Sequence, residues 1–261
     1  MDYLDQFLHR AERLLDRLED LLPPKVLPMD WSAILAARWR KVSFGGRLEP
    51  VPLPHMLDLD DLQGIDDQRN RVDRNTCQFV EGLPANNVLL TGARGTGKSS
   101  LVKAMLTRYG HKGLRLVEVD KADLVDLPDL VSIFVKQDYR FIVFCDDLSF
   151  EDNDASYKSL KVALDGSLGG YARNVLIYAT SNRRHLLPEH MSENLETQHV
   201  NGEIHPGETT EEKISLSERF GLWVPFYPFT QSEYLAITAY WLNHFGLNLF
   251  GPEIQGEALR F

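Results

Sequence analysis

The stretch "GARGTGKSS", Gly92 to Ser100, follows the apolar run "NNVLL" and precedes "LVKAMLTRY". The first run is typical of a strand and the second of a helix. Glycine costs chain entropy on folding, so its density here indicates a loop whose backbone must approach something closely. The sequence therefore predicts a strand, a glycine-rich loop and a helix, with the loop backbone turned toward a ligand.

This loop fits a phosphate-binding pattern in full. Gly92, Gly97, Lys98 and Ser99 have the spacing G-x-x-x-x-G-K-[ST] between a strand and a helix. Backbone N–H groups of such a loop cradle phosphate oxygens, and the positive end of the helix dipole adds to the attraction. We expect Lys98 to reach the β- and γ-phosphates and the Ser99 hydroxyl to bind Mg²⁺. The predicted nucleotide contacts are Gly92, Ala93, Arg94, Gly95, Thr96, Gly97, Lys98, Ser99 and Ser100.

An acidic pair follows the apolar run "FIVFC". Asp146 and Asp147 stand at the carboxyl end of a buried strand, where open parallel sheets form their ligand crevice. Asp146 is predicted to hold Mg²⁺ through water. Asp147 is predicted to orient or deprotonate the attacking water, with Glu151 as a competing base because the aspartate side chain is short.

Two further polar residues follow from the strand pattern. The run "VLIYAT" leads into Asn182, which would face the γ-phosphate if this strand neighbours the acidic one, although loop asparagines also form turns. Arg219 ends a short predicted helix for which Ser215 and Glu218 form a capping box. An arginine there can point toward a neighbouring subunit's γ-phosphate. An ordinary surface arginine is the alternative.

Composition restricts the class of protein. Of the 261 residues, 43% are hydrophobic and the net charge is -10, which disfavours broad attraction to nucleic acid or to an anionic membrane. Two cysteines form no disulfide framework and indicate reduced thiols. The sequence shows neither a charged-then-apolar leader nor an apolar run near the ~20 residues that span a bilayer. We expect a cytoplasmic protein whose macromolecular partner is a protein rather than nucleic acid.

From about residue 60, short apolar runs alternate with helical patterns, which predicts a parallel sheet covered on both faces. Before this region, "DYLDQFLHRAERLLDRLEDLL" has helical apolar spacing and is either an interaction helix or a helix packed on its own domain. The segment "DWSAILAARWRKV" is predicted to form a second helix.

The order of these elements resembles the AAA+ ATPases over about residues 60 to 245. The loop from Gly92 to Ser99, the pair Asp146 and Asp147, and Asn182 match that family's motifs in order, and Arg219 in "SERF" resembles its arginine finger. More narrowly, "NNVLLTGARGTGKSSLVKA", "FCDDLSFE" and "YATSNRRHL" resemble a bacterial AAA+ family of unassigned function. The segment "LQGIDDQ" resembles the part that lines the adenine pocket, with Gly64 and Ile65 as backbone contacts.

The resemblance implies an α/β fold with five parallel strands ordered 5-1-4-3-2. It implies ATP and Mg²⁺ as ligands, hydrolysis to ADP and phosphate, a homo-oligomer, and remodelling or loading of a macromolecular partner. The expected domains are an N-terminal helical segment and linker (1–58), a nucleotide-binding α/β domain (59–229) and the start of a helical lid (230–261). Thr230 and Glu233 form a capping box for the first lid helix. A complete lid would carry a second arginine after it, and only Arg260 remains, so we expect a shortened lid.

Two other functions stay open. A nucleotide-gated switch or loader with little turnover is one, since aspartate replaces the usual glutamate at Asp147. A P-loop kinase for a small molecule is the other. Such kinases close a basic lid over the acceptor, whereas the long loop from Glu189 to Glu212 is acidic.

Overall fold

A seven-stranded sheet lies at the centre of the computed structural model. The residues that the structure describes are 7, 9, 10, 13, 29–42, 45–52, 57–150, 155–164, 172–183, 186, 198–200, 203–205, 219–247 and 251–260. The strands are β1 (Ala36–Val42), β2 (Gly45–Pro50), β3 (Val88–Gly92), β4 (Leu114–Glu118), β5 (Arg140–Cys145), β6 (Val175–Ser181), β7 (Gln198–Val200), β8 (Glu203–His205) and β9 (Leu222–Phe226). β7 and β8 form a separate antiparallel pair.

The strands of the large sheet are ordered β2-β1-β4-β5-β6-β3-β9. All neighbouring pairs are parallel except β1 with β2. The five strands from β9 to β4 therefore stand in the predicted order 5-1-4-3-2, and the predicted fold class is confirmed. β1 and β2 extend the sheet beyond β4, so it includes residues on the N-terminal side of the boundary expected at residue 58.

The helix predicted for "DWSAILAARWRKV" is wrong, because Ala36–Val42 form β1. Ala37 and Trp39 enter the core on one face, while Arg38, between them, pairs with Glu118 at 2.7 Å. Such alternation between the two faces is the pattern of a strand. The sequence did not reveal it, because the adjacent alanines Ala36 and Ala37 favour a helix. The amphipathic helix predicted before it lies largely outside the described residues.

Helices cover both faces of the sheet. These are α1 (Asp66–Val80), α2 (Lys98–Tyr109), α3 (Leu127–Phe134) and α4 (Ala155–Leu164). Two more helices, α5 (Gln231–His244) and α6 (Pro252–Ala258), follow the last strand, and short 3-10 turns lie at Leu59–Asp61, Gly110–Lys112 and Lys121–Asp126. Side chains of α1 and α2 share one buried cluster with the sheet, and side chains of α3 and α4 share the other. This two-sided cover explains why the central strands are apolar on both faces.

α5 begins at the predicted capping box. The Glu233 backbone N–H donates to the Thr230 hydroxyl at 3.3 Å, and the Glu233 carboxylate accepts from the Thr230 backbone N–H at 2.7 Å. Arg260, after α6, pairs with Glu257 and its side chain is 74% exposed. In the described part of the chain, none of the helices has both the length and the apolar character needed to cross a membrane.

Candidate nucleotide-binding site

The glycine-rich loop connects β3 to α2 as predicted. Gly92, Gly95 and Gly97 all have positive φ angles, of 124°, 74° and 88°. Such angles strain a residue that carries a Cβ atom. A Cβ atom on Gly92 would also lie 1.9 Å from the carbonyl oxygen of Phe226 on β9. Glycine is therefore required here both by the turn of the loop and by the neighbouring strand.

Lys98 lies across this loop and is only 6% exposed. Its Nζ donates to the carbonyl oxygens of Gly92 at 2.8 Å and Ala93 at 2.6 Å, and to Asn182 Oδ1 at 3.1 Å. Burial lowers the pKa of Lys98, and the charges of Asp146 and Asp147 act against that lowering. The lysine thus joins the loop to the carboxyl end of β6, where Asn182 was predicted to stand.

Asp146 connects α2, β5 and β6. The Ser99 hydroxyl donates to Asp146 Oδ1 at 2.6 Å, and the Thr180 hydroxyl donates to the same oxygen at 2.5 Å. Among the described residues, Asp146 Oδ2 has no hydrogen-bond partner, and the residue is exposed. A carboxylate oxygen beside a serine hydroxyl is the oxygen-only donor set that suits Mg²⁺. Ser99 and Asp146 therefore fit the metal that the sequence predicts.

Asp147 has an unusual backbone conformation, with a φ angle of 52°. Among the described residues other than glycine, it is the one with a positive φ angle. Its N–H donates to the Thr180 hydroxyl at 2.9 Å. Its Oδ1 accepts a short hydrogen bond from the Asn182 amide, and its Oδ2 lies 3.8 Å from Arg94 Nη2. Asn182 therefore bridges Lys98 and Asp147 through its two side-chain atoms.

Thr180 is a site residue that the sequence analysis missed. The residue is 2% exposed, and its single hydroxyl donates to Asp146 and accepts from the backbone of Asp147. The carbonyl oxygen of Thr180 also accepts from Leu148 N at 2.7 Å. The signal was present in "YATSN", but threonine is common in strands, and nothing local showed that this hydroxyl meets the acidic strand.

Gly64 and Ile65 lie beside the loop. Ile65 Cδ1 is 3.8 Å from the position that a Cβ atom would take on Gly97. A Cβ atom on Gly64 would lie 3.2 Å from the Phe229 ring and 3.6 Å from Ile237 of α5. The segment is therefore between the loop and α5, and its contact with adenine stays a prediction.

Arg219 is not brought to this site within the chain. It stands just before the amino end of β9, whereas the loop follows the carboxyl end of the parallel strand β3. The length of a five-residue strand, about 16 Å, separates those two edges of the sheet. Arg219 instead lines a cavity of about 960 Å³ with Asn86, Asn87 and Arg173. Glu151, Ser215 and Glu218 lie outside the described residues, as does most of the loop from 189 to 212.

Residues 32–261 match the family described as "Protein of unknown function (DUF815)". Comparison with curated proteins gives no match. Among solved structures, the Thermotoga maritima RuvB Holliday junction branch migration motor is 18% identical, with a TM-score of 0.48, and the match covers 72% of this chain and 54% of that one. A point mutant of RuvB from Thermotoga maritima is 16% identical, with a TM-score of 0.49 and coverage of 72% and 55%. The Aeropyrum pernix ORC1 protein in complex with DNA is 16% identical, with a TM-score of 0.47 and coverage of 73% and 51%. The matches span about half the length of these solved chains.

Proposed function

We propose that this chain, which belongs to the family described as "Protein of unknown function (DUF815)", is an ATPase that binds Mg²⁺ and ATP at Gly92–Ser100. One observation carries the proposal: five polar residues meet in one hydrogen-bonded group, linked through Thr180, at the carboxyl edge of the sheet. They are Lys98, Ser99, Asp146, Asp147 and Asn182. These residues come from three separate parts of the sequence. A phosphate-binding loop, an open carboxylate oxygen and a second carboxylate next to them are the parts that hydrolysis of a β–γ bond requires.

The residues divide into binding and reacting groups. The N–H groups of the loop and the amino end of α2 would hold the phosphates, and the Lys98 ammonium would neutralise their charge. Ser99 and Asp146 would hold Mg²⁺, which supplies charge neutralisation at the phosphate oxygens. Adenine would lie against Gly64 and Ile65.

Asp147 would act on the attacking water. Its carboxylate orients the water and accepts its proton, while the Asn182 amide fixes the direction of the carboxylate. The left-handed backbone at Asp147 supports this role, because strained conformations persist where the surrounding structure holds a functional group in place.

We further propose that the chain works as a cytoplasmic homo-oligomer and that hydrolysis remodels or loads a macromolecular partner. Arg219 would act in trans, which agrees with its position at the edge of the sheet away from its own loop. The net charge of -10 favours a protein as that partner.

A second function is supported by one contact. Both oxygens of Asp147 face side-chain donors, those of Asn182 and Arg94. A carboxylate held in this way has less freedom to accept a proton from water. The chain would then be a nucleotide-gated switch that binds ATP and turns over slowly until a partner separates Arg94 from Asp147.

Replacing Asp147 by Asn tests the proposal. We expect Mg·ATP affinity to stay within about twofold, because Asp147 faces water rather than phosphate, while phosphate release falls by roughly 100-fold or more. Affinity would be measured by titration and turnover by phosphate release. Asp138→Asn, an exposed aspartate near the opposite end of β5, is the matched control.

Three outcomes separate the alternatives. Normal turnover in Asp147→Asn together with lost turnover in Glu151→Gln would move the base to Glu151. A parent protein that binds ATP but releases no phosphate would support the switch. A parent that binds no ATP would contradict both functions.

A further inference from the structure

The segment Asp58–Ile65, here called the strut, connects α5 to the rest of the molecule. The Tyr240 hydroxyl donates to Asp61 Oδ1 at 2.7 Å, and His244 Nδ1 lies 3.7 Å from the same oxygen. Apart from the adjoining cap residue Thr230, Asp61 is the one side chain outside α5 and α6, among the described residues, that accepts a hydrogen bond from an α5 side chain. α5 itself has no fully buried residue. Within the part of the chain that the structure describes, the Asp61 carboxylate therefore provides the polar attachment of α5 to the α/β body.

The Asp61 carboxylate is also held by a hydrogen bond that does not involve α5. Asp61 Oδ2 accepts from the Asp58 backbone N–H at 3.2 Å as part of the capping box of the 3-10 turn. The Asp61 side chain is only 15% exposed. Leu59 and Leu62 on either side are buried in the same core as α1 and α2. The strut thus belongs to the α/β body, and α5 packs against it.

The other end of the strut contacts the nucleotide loop. Gly64 lies next to the side chains of Phe229 and Ile237. Ile65 Cδ1 lies 3.8 Å from the position that a Cβ atom would take on Gly97. The strut therefore touches α5 on one side and the phosphate-binding loop on the other. A movement of α5 away from Asp61 would also open the contact at Gly64.

We infer that Asp61 is a positioning residue for the nucleotide site: by holding Tyr240 and His244 it keeps α5 closed over the strut and slows nucleotide release. This inference rests on the proposed ATP binding. The hydrogen bond to Asp61 also raises the pKa of Tyr240, as expected for a phenol that donates to a carboxylate.

The test is the dissociation rate of a fluorescent N-methylanthraniloyl-ADP with Mg²⁺ from the full chain, chased with excess unlabelled ATP. Tyr240→Phe removes only the hydroxyl, and we expect dissociation to become roughly 3- to 10-fold faster, as for the loss of one part-buried hydrogen bond of ordinary strength. Asp61→Ala should be faster still, because it releases His244 too. Asp61→Asn keeps one acceptor oxygen, which can serve Tyr240 or the Asp58 N–H but not both, so its rate should lie between those of the parent and Asp61→Ala.

Tyr234→Phe, which removes another tyrosine hydroxyl from α5, is the matched control and should leave the rate unchanged. Adding Tyr240→Phe to Asp61→Ala should give no further acceleration, since the two groups act through one contact. Equal rates for the parent and Tyr240→Phe would overturn the inference while leaving ATP binding intact. A parent that does not bind the fluorescent ADP would instead contradict the proposed function.

Discussion

The two helices next to the proposed nucleotide site, α2 and α5, are built in opposite ways. α2 buries more than half of its residues, including Leu101, Met105 and Leu106, but has no side-chain cap at its amino end. α5 has a complete capping box and buries none of its residues fully. α2 is therefore held by tertiary packing and α5 mainly by its own sequence.

This difference agrees with the role proposed for each helix. A side-chain cap on α2 would occupy the N–H groups that the proposed phosphates need. The N-cap residue of α2 is Gly97, which has no side chain that could bond to them. No ligand is proposed at the amino end of α5, so its free N–H groups can be capped by Thr230. The comparison teaches that the well-buried helix stands at the proposed phosphate site, while the other helix has no fully buried residue to fix it.

The comparison is tested most strongly by removing one leucine from each helix. Leu101→Ala should lower the free energy of unfolding by about 2 to 5 kcal/mol, because Leu101 is fully buried and its truncation leaves a cavity in the core. Leu235→Ala, the same change at a half-buried position of α5, should lower it by about 1 kcal/mol. Urea unfolding of both variants gives the values. Equal losses would show that α5 is as tightly packed as α2.

The next effect concerns the residue that holds the acidic pair beside α2. Thr180→Val removes one hydroxyl while keeping the shape of the side chain, so Asp146 loses a donor and the Asp147 N–H loses its acceptor. We expect phosphate release to fall by roughly 10- to 100-fold, with ATP affinity within about threefold of the parent.

Thr180→Ser keeps the hydroxyl but loses the methyl group and should recover most of the turnover, which a role in packing alone would not predict. Thermal unfolding of both variants checks that the fold is retained. If Thr180→Val releases phosphate as fast as the parent, the hydroxyl does not position the acidic pair.

Much of this arrangement could be predicted from the sequence because its signals are local. The glycine spacing of the loop, the capping box of α5 and the alternating pattern of strands and helices each lie within a few residues. The strand order followed from the AAA+ resemblance, and it placed Asn182 next to the acidic strand, whereas the contact between Lys98 and Asn182 was not predicted.

The features that were missed depend on contacts between distant segments. The pair Ala36 and Ala37 suited both a helix and a strand, and only pairing with β2 and β4 decides for the strand. The Tyr240–Asp61 bond joins residues 179 positions apart, so no local pattern reveals it. Arg94 was predicted for its backbone, whereas its side chain faces Asp147.

The central claim, that Gly92–Ser100 binds ATP, is tested most directly by titrating Mg·ATP against Lys98→Ala. Removing the buried ammonium should weaken binding at least about tenfold, or ~1.4 kcal/mol. Lys103→Ala, an exposed lysine on the same helix, should bind like the parent. Unchanged affinity in Lys98→Ala would contradict the assignment of this loop as the nucleotide site.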